Sequence, residues 1–167
     1  IEIGRGNQTA TNVRQSYLPT STKGKCKAVQ HLIHKDNPRL ALVFCNTKRQ
    51  VKTLHRLLND QGLAAGCLHG DLSQYQRDTV MEAFRKGKTN VMVATDVAAR
   101  GIDVKNIDLV INYDIPDKIE YYVHRIGRTG RAGHPGRACT LVNPQDCRLI
   151  TDIERRFRIK LTEEKAV

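Results

Sequence analysis

The sequence contains no tryptophan and only three phenylalanines, and none of its apolar runs approaches the roughly 20 residues of a membrane-spanning helix. It also has no basic amphipathic helix with the aromatic face that binds membrane surfaces. Its first residues, Ile1-Glu2-Ile3-Gly4-Arg5, do not resemble a signal peptide. These absences predict a protein without membrane partners that is intracellular and cytoplasmic, or nuclear in a eukaryote.

Cysteine occurs in an odd number and without close pairs. The five residues include no C-x-x-C pair, and Cys45, Cys67 and Cys139 lie within apolar runs, where cysteine behaves as a small hydrophobic side chain. This pattern argues against a disulfide framework and against a zinc site. We therefore expect a reducing compartment and no metal ligands in this chain.

Acidic residues are the scarcer charge. Asp and Glu number 17 against 28 Lys and Arg, which gives a formal net charge of +11 and an isoelectric point near 9.7. This excess favours a polyanionic partner, and nucleic acid before a membrane because the aromatic face is missing. The length of 167 residues and the hydrophobic content of 40% suit one globular domain.

The order of apolar segments predicts an α/β fold. Residues 1–12 have few apolar positions and are interpreted as an interdomain linker or flexible lead-in, so that the domain spans 13–167. The predicted strands are Val13–Leu18, Leu40–Cys45, Ala64–Leu68, Asn90–Ala94, Leu109–Asn112 and Ala138–Val142, and the predicted helices are Lys23–Lys35, Arg49–Gln61, Ser73–Lys86, a short one from Val97, Lys118–Arg125 and Gln145–Phe157. Because the strands are apolar throughout, we expect a parallel sheet flanked by helices on both faces.

Small polar residues follow three of the predicted strands. They are Asn46-Thr47-Lys48, His69-Gly70-Asp71 and Thr95-Asp96, and Ser73 and Gln76 have the spacing of a capping box. Each group on its own is explained by ordinary helix capping. Together with the basic charge balance, however, they favour a cradle for successive backbone phosphates at the carboxyl edge of the sheet.

The segment HRIGRTGR (124–131) is the strongest functional signal in the chain. It could be a solvated basic loop, as many charged runs are. Arginine, however, is always charged and presents a rigid fork of donors that suits phosphate oxygens. Arginines at fixed offsets between glycines therefore predict stabilisation of charge on a transferring phosphate.

Four segments in order resemble the motifs of DEAD-box RNA helicases in superfamily 2. FCNT (44–47) is similar to motif IV, Gln74 and Arg77 within GDLSQYQRD to motif IVa, ATDVAARGID (94–103) to motif V, and HRIGRTGR to motif VI. The resemblance covers about residues 13–160. It identifies the chain with the C-terminal RecA-like domain of that family and implies a RecA-like parallel sheet.

The resemblance also implies roles for individual residues. The positions that match contacts to the RNA sugar-phosphate backbone are Thr47, Gly70, Gln74, Arg77 and Thr95. Gly101 and Asp103 match positions that meet the nucleotide, where the carboxylate accepts hydrogen bonds from the ribose hydroxyls. Arg128 and Arg131 match the arginine fingers on the γ-phosphate of ATP.

Three further residues match positions that couple this domain to its partner. They are His124 and Arg125, which belong to the catalytic motif VI, and Arg100 in motif V. Asp96 has two interpretations, a role in motif V or a cap for the following helix. His134-Pro135 stands where relatives often carry a basic residue after motif VI, which alters none of these roles.

The chain has neither a G-x-x-x-x-G-K-S/T loop nor a D-E-A-D sequence. The phosphate-binding lysine and the carboxylates that hold Mg²⁺ are therefore expected in an N-terminal RecA-like domain, and this chain alone is expected to be inactive as an ATPase. One alternative is a non-enzymatic RNA-binding module, which would have no use for arginine fingers. The other is half of a DNA helicase, which His124 and ATDVAARGID disfavour.

Overall fold

A seven-stranded, all-parallel sheet forms the centre of the molecule. The computed structural model describes residues 12–131 and 133–165, so the predicted lead-in lies outside the described residues except for Asn12. The strands are β1 (Val13–Pro19), β2 (Leu40–Phe44), β3 (Ala65–Leu68), β4 (Val91–Ala94), β5 (Ile107–Asn112), β6 (Gly136–Val142) and β7 (Thr162–Glu163), arranged in the order β3-β4-β2-β5-β6-β1-β7.

Helices cover both faces of this sheet, as the uniformly apolar strands predict. The helices are α1 (Lys25–Asp36), α2 (Lys48–Asp60), α3 (Gln74–Arg85), α4 (Tyr121–Ile126) and α5 (Arg148–Phe157). Along β2, Leu42 packs into a core cluster with residues of α3, α4 and α5, whereas Val43 packs into a second cluster with residues of α1 and α2. Successive side chains of a strand point to opposite faces, so both faces are buried.

Two helices begin with the caps that their sequences indicate. Ser73 accepts a hydrogen bond from the backbone N–H of Gln76 (3.1 Å), and the Gln76 side chain accepts one from the N–H of Ser73 (2.9 Å), which confirms the capping box of α3. The Thr47 hydroxyl accepts from the N–H of Gln50 (3.2 Å) and caps α2. Both caps fix the loops that precede them.

The structure differs from the sequence prediction after β4. The short helix predicted from Val97 is wrong, because residues 96–101 form successive turns instead. The N–H of Ala99 bonds to the carbonyl of Thr95 (3.0 Å), but Gly101 adopts φ of 76°, which ends any helical continuation. Similarly, α4 begins at Tyr121 and α5 at Arg148, each a few residues later than predicted.

Strand β7 was not predicted at all. Its two residues pair with β1 in parallel, and the N–H of Glu164 bonds to the carbonyl of Tyr17 (2.8 Å). Two residues give no recognisable periodicity, so their pairing depends on contacts made elsewhere in the fold. Within the two described ranges, no helix has the length and apolarity needed to cross a membrane.

Candidate functional site

The carboxyl ends of β2, β3 and β4 lie side by side, because these strands are neighbours in the sheet. Backbone hydrogen bonds continue past the strands, from Cys45 to Ala94 (3.0 Å) and from Thr95 to Leu68 (3.3 Å). Thr47 is exposed and Thr95 is half-buried at this edge. The predicted meeting of three polar strand ends is therefore confirmed, and the edge presents hydroxyls and the start of helix α2.

Gly70 is exposed at the same edge, after β3. A Cβ atom built on it would meet nothing within 4 Å, and its backbone φ is not in the left-handed region. Nothing in the described surroundings thus requires glycine at this position. Close approach of a ligand to the backbone would require it.

Gln74 and Arg77 lie in the first turn of α3, beside these strand ends. The Gln74 side chain donates to Asp78 (2.8 Å) and is exposed. Arg77 is half-buried and donates from Nη1 to the carbonyl of Ala98 (2.7 Å). Arg77 therefore braces the loop after β4, and any contact that it makes with a ligand adds to this structural role.

That loop carries the residues that match nucleotide-binding positions. Ile102 and Val104 are buried and anchor it to the core, whereas Gly101 and Asp103 are exposed. The side chain of Asp103 is 85% exposed. The alternation of buried and exposed residues turns the Asp103 carboxylate to the surface, where it is accessible to a ligand.

Arg125 differs from the other motif VI residues because it lies in the core, where it is 1% exposed. Its guanidinium makes a two-pronged ion pair with Asp96, with both N···O distances at 2.7 Å. It also donates to the Asn46 side chain (2.7 Å) and to the carbonyl of Asp114 (2.7 Å), and it stacks over the ring of Phe44. Arg125 thus joins the loops after β2, β4 and β5.

This position bears on two sequence interpretations. The resemblance groups Arg125 with catalytic and coupling residues, and in the structure its side chain is 1% exposed and its hydrogen bonds are made to Asp96, Asn46, Asn112 and Asp114. Asp96 caps no helix, since none follows β4, and its carboxylate binds Arg125. The signal for burial is present in the sequence: Arg125 shares one face of α4 with the buried residues Tyr122 and Ile126.

Arg128 is half-buried and only partly satisfied. Its Nη1 donates to the carbonyl of Ile102 (2.8 Å), while its Nε is buried without a hydrogen-bond partner among the described residues. Burial, together with repulsion from Arg131, lowers the pKa of the Arg128 guanidinium from its usual value. A cation held in these surroundings is stabilised by an incoming anion.

Arg131 is more exposed and is paired with an acid. It forms an ion pair with Asp103 at 3.2 Å, with its side chain 45% exposed. Two clefts flank these residues. One, of about 270 Å³, is lined by residues that include Arg100, Gly101 and His124; the other, of about 390 Å³, is lined by residues that include Asp103 and Arg131. Arg128 lines both, so the two clefts share one cation.

A buried polar network around Asp114 was missed by the sequence interpretation. Asp114 accepts hydrogen bonds from the N–H of Asn46 (3.0 Å), from Gln50 (3.1 Å) and from Lys25 (3.3 Å). Asp114 follows β5 just as Asn46 follows β2, so examining a fourth strand end would have found it. In residues 12–131 and 133–165, no group of three or more His, Cys, Asp or Glu side chains could hold a metal ion.

Comparison with known proteins gives consistent matches. Residues 24–133 match the helicase conserved C-terminal domain. Over 165 residues the chain is 43% identical to the DEAD-box ATP-dependent RNA helicase CshA of Geobacillus kaustophilus, a match that covers 99% of this chain but only 35% of that protein. The chain therefore spans little more than a third of the length of this relative.

Solved structures with the same fold include two DEAD-box proteins. Escherichia coli SrmB, bound to regulator of ribonuclease activity A, is 33% identical with a TM-score of 0.82, and the match covers 93% of this chain and 91% of that one. Saccharomyces cerevisiae Dbp5, bound to RNA and ADP BeF3, is 31% identical with a TM-score of 0.86, and the match covers 92% of this chain and 42% of that one.

Proposed function

Because this chain belongs to the family of helicase conserved C-terminal domains, and within it to the DEAD-box proteins, we propose that it is the C-terminal RecA-like half of an ATP-dependent RNA helicase. Its partners would be RNA and an N-terminal RecA-like domain of the same protein. Closure of the two domains on RNA and ATP would separate a short duplex locally.

The RNA-binding part of this proposal concerns the edge formed by β2, β3 and β4. The residues proposed to contact the RNA backbone are Thr47, Gly70, Gln74, Arg77 and Thr95. The proposal is supported by their common edge, by the open space at Gly70 and by the net charge of +11. Contacts to sugar and phosphate carry little base information, so we expect weak sequence preference.

The nucleotide-binding part concerns Arg128, Arg131 and the loop that carries Gly101 and Asp103. We propose that both arginines bind the γ-phosphate of ATP and that Asp103 accepts hydrogen bonds from the ribose hydroxyls. The observation that carries this proposal is the half-buried Arg128, whose Nε has no partner within the described residues. Its surroundings suit a second, anionic partner that the chain itself does not supply.

The remaining residues of the two motifs receive distinct roles. His124 and Arg100 are exposed at the rim of the smaller cleft and would contact the N-terminal domain. Arg125 would act through its neighbours, since its ion pair with Asp96 fixes the loop between Thr95 and Asp103. In this role it is a positioning residue.

ATP and Mg²⁺ would be held mainly by the N-terminal domain, which would supply the phosphate-binding lysine and the metal-binding carboxylates. When bound, Mg²⁺ neutralises charge that develops on the β- and γ-phosphates. This chain would add the two arginines from the opposite side of the γ-phosphate and exclude water by closing over it.

The test is ATP turnover by the whole protein in the presence of RNA. We expect Arg128→Ala or Arg131→Ala to reduce turnover by about 10³-fold or more, the scale measured for arginine fingers. Arg85→Ala is the matched control, because Arg85 lies at the far end of α3 and pairs with Glu82. Parental turnover in either finger variant would refute the assignment.

A further inference from the structure

Lys48, Lys52 and Asp71 form an exposed charged cluster beside the proposed RNA-binding edge. We propose that Lys48 and Lys52 bind a phosphate group of the RNA backbone, and that Asp71 occupies this phosphate position until RNA displaces it. The inference rests on the proposed RNA-binding function and adds residues to it that have no role in the residue assignments implied by the resemblance.

The geometry of the cluster is that of two cations around one anion. Lys48 Nζ lies 3.0 Å from Oδ1 of Asp71, and Lys52 Nζ lies 2.7 Å from Oδ2. The lysines are one turn apart on α2, so both ammonium groups reach the same carboxylate from one face of the helix. Two oxygens of one phosphate group could take the places of the two carboxylate oxygens.

The cluster continues the edge that carries Thr47 and Gly70. Lys48 is the first residue of α2 and directly follows its cap, Thr47. Asp71 directly follows Gly70, above which the structure leaves open space. A backbone that passes close to Gly70 and Thr47 would therefore meet the two lysines next.

Asp71 is held in position by its own loop. Its N–H donates to Nδ1 of His69 (3.2 Å). Burial and the nearby Lys52 lower the pKa of His69, so the ring is neutral at pH 7 and free to accept this bond. The hydrogen bonds from Lys52 and Lys48 lower the pKa of Asp71 to about 2, so its carboxylate remains charged.

The exposure of the cluster allows displacement. The side chains of Lys48, Lys52 and Asp71 are 58%, 51% and 45% exposed, and ion pairs in such surroundings are weak because water and salt screen them. A backbone phosphate carries one negative charge on two non-bridging oxygens, as the carboxylate does, and the strand brings the neighbouring phosphates with it. When an RNA phosphate displaces the Asp71 carboxylate from the two lysines, only weak ion pairs are broken, and counterions are released from the strand.

The cluster could instead be a purely structural link between α2 and the loop after β3. The two roles differ in what they predict for binding. If the cluster is only a structural link, substitutions in it would lower the melting temperature and leave the salt dependence of RNA binding as it is. If it is a phosphate site, the same substitutions would change the salt dependence and leave the fold intact, because all three side chains lie at the surface.

The experiment measures binding of a short, labelled polyuridine strand to the whole protein, with a non-hydrolysable ATP analogue, over a series of salt concentrations. We expect Lys48→Ala and Lys52→Ala each to weaken binding several-fold and to reduce the slope of log K against log salt, and the double variant to reduce this slope by about 0.7, the value for one phosphate contact on a single strand. Lys48→Arg should keep the parental slope.

Asp71→Asn should have the opposite effect and tighten binding several-fold, because it removes the competing carboxylate. The gain should vanish when Lys48 and Lys52 are both alanine. Arg56→Ala provides the matched control, since Arg56 lies farther along α2, is exposed and pairs with Asp60. We expect it to leave the slope unchanged, and melting temperatures of all variants should stay near the parental value.

Three outcomes would overturn the proposal, each in a distinguishable way. If Arg77→Ala weakens binding while both lysine variants keep the parental affinity and slope, the cluster is structural and the RNA-binding function stands. If the parental protein does not bind the strand at all, the proposed function fails and this inference fails with it. Weaker binding by Asp71→Asn would also contradict displacement.

Discussion

The two arginines proposed to bind the γ-phosphate have different surroundings. Arg128 is half-buried with one N–H unpaired among the described residues, whereas Arg131 is more exposed and is paired with Asp103. The pair has a consequence for nucleotide binding, because the Asp103 carboxylate is proposed to bind the ribose. ATP would then separate Asp103 from Arg131, and each would turn to its own part of the nucleotide.

Asp103→Asn tests the role of this carboxylate. In the whole protein we expect the apparent KM for ATP to rise about tenfold, the scale of one lost charge-assisted hydrogen bond. Because the side chain is 85% exposed and caps no helix, the melting temperature should remain unchanged. An unchanged KM together with a lower melting temperature would assign Asp103 to the scaffold.

Arg125 is the residue whose loss should most disturb the fold. Arg125→Ala leaves the Asp96 carboxylate, with its side chain 18% exposed, without its cation. We expect the free energy of unfolding to fall by about 3–5 kcal/mol, as when one member of a buried ion pair is removed. Urea denaturation of the 167-residue chain measures this change.

The control for Arg125 is Arg100→Ala, which removes an exposed arginine from the same region and should change stability by less than about 0.5 kcal/mol. Arg125→Lys keeps the charge but loses the two-pronged geometry, so we expect an intermediate loss. If Arg125→Ala were as stable as the parent, the ion pair and hydrogen bonds of Arg125 would contribute nothing to the free energy of unfolding.

At the scale of elements, the central strands could be predicted almost residue by residue. Strand β2 is a short, continuous apolar run bounded by polar residues, and its length and flanking residues favour a strand buried on both faces over a helix. The segment after β4 could not be predicted in the same way. Val97 and its neighbours have local helical spacing, but the positive φ of Gly101 and the burial of Ile102 favour a turn.

The candidate site was also predictable only in part: the edge of the sheet could be predicted, but the partners of the side chains on it could not. Strand-end polarity and the motifs predicted that these residues share one edge of the sheet, as they do, because position along a parallel strand fixes which edge a residue reaches. The partners of these residues were not predictable from spacing. Asp71 and Lys52 are 19 positions apart, and their ion pair depends on how α2 packs beside β3.

Ion pairs of Glu164, the residue that follows β7, hold this strand against the sheet. Glu164 accepts hydrogen bonds from Arg137 at 2.7 and 3.0 Å and also from the Ser16 hydroxyl, and Asp36 binds the same guanidinium at 2.5 Å. Although burial raises the pKa of Glu164, the bonds from Arg137 and Ser16 outweigh it and lower this pKa to about 2. The ionised form of Glu164 is therefore stabilised by folding.

This lowered pKa predicts a specific pH dependence. Because the folded pKa lies below the unfolded value of 4.5, the stabilisation is present at pH values above 4.5 and is lost as the pH falls towards about 2. Glu164→Gln should lower the free energy of unfolding at pH 7 by about 2–3 kcal/mol and flatten its decrease over this range. Chemical denaturation at a series of pH values measures both effects.

Glu163→Gln is the matched control, since Glu163 is the neighbouring residue, is exposed and binds only Tyr17 in the described structure. We expect it to retain the parental pH dependence. If Glu164→Gln had the parental free energy of unfolding at every pH, Asp36 alone would suffice to hold Arg137. The ion pair between Glu164 and Arg137 would then not stabilise the position of β7.

At the scale of the whole molecule, the chain has one half of the proposed chemistry. It would contribute cations for a γ-phosphate and a polar edge for RNA, but its sequence has no phosphate-binding loop. The purified 167-residue chain should therefore show no RNA-stimulated ATP hydrolysis. Turnover that is proportional to the protein added and survives repurification would contradict this expectation.

Adding the N-terminal domain as a separate chain is a more demanding version of the same assay. In the proposed whole protein a covalent linker would keep the two domains at an effective concentration on the order of 1 mM. Separate domains at lower concentrations would rarely meet on one RNA strand. We therefore expect only a small fraction of the parental turnover from the mixture.

The central claim is that Arg128 and Arg131 reach the γ-phosphate of an ATP molecule that is held mainly by another domain. A crystal structure of the whole protein with RNA and ADP-beryllium fluoride measures this directly. We predict that both guanidinium groups lie within about 3 Å of the fluoride ligands that mimic the γ-phosphate oxygens, with Arg131 released from Asp103. A closed complex in which both arginines remain farther away than a hydrogen bond can span, with Arg131 still paired to Asp103, would contradict it.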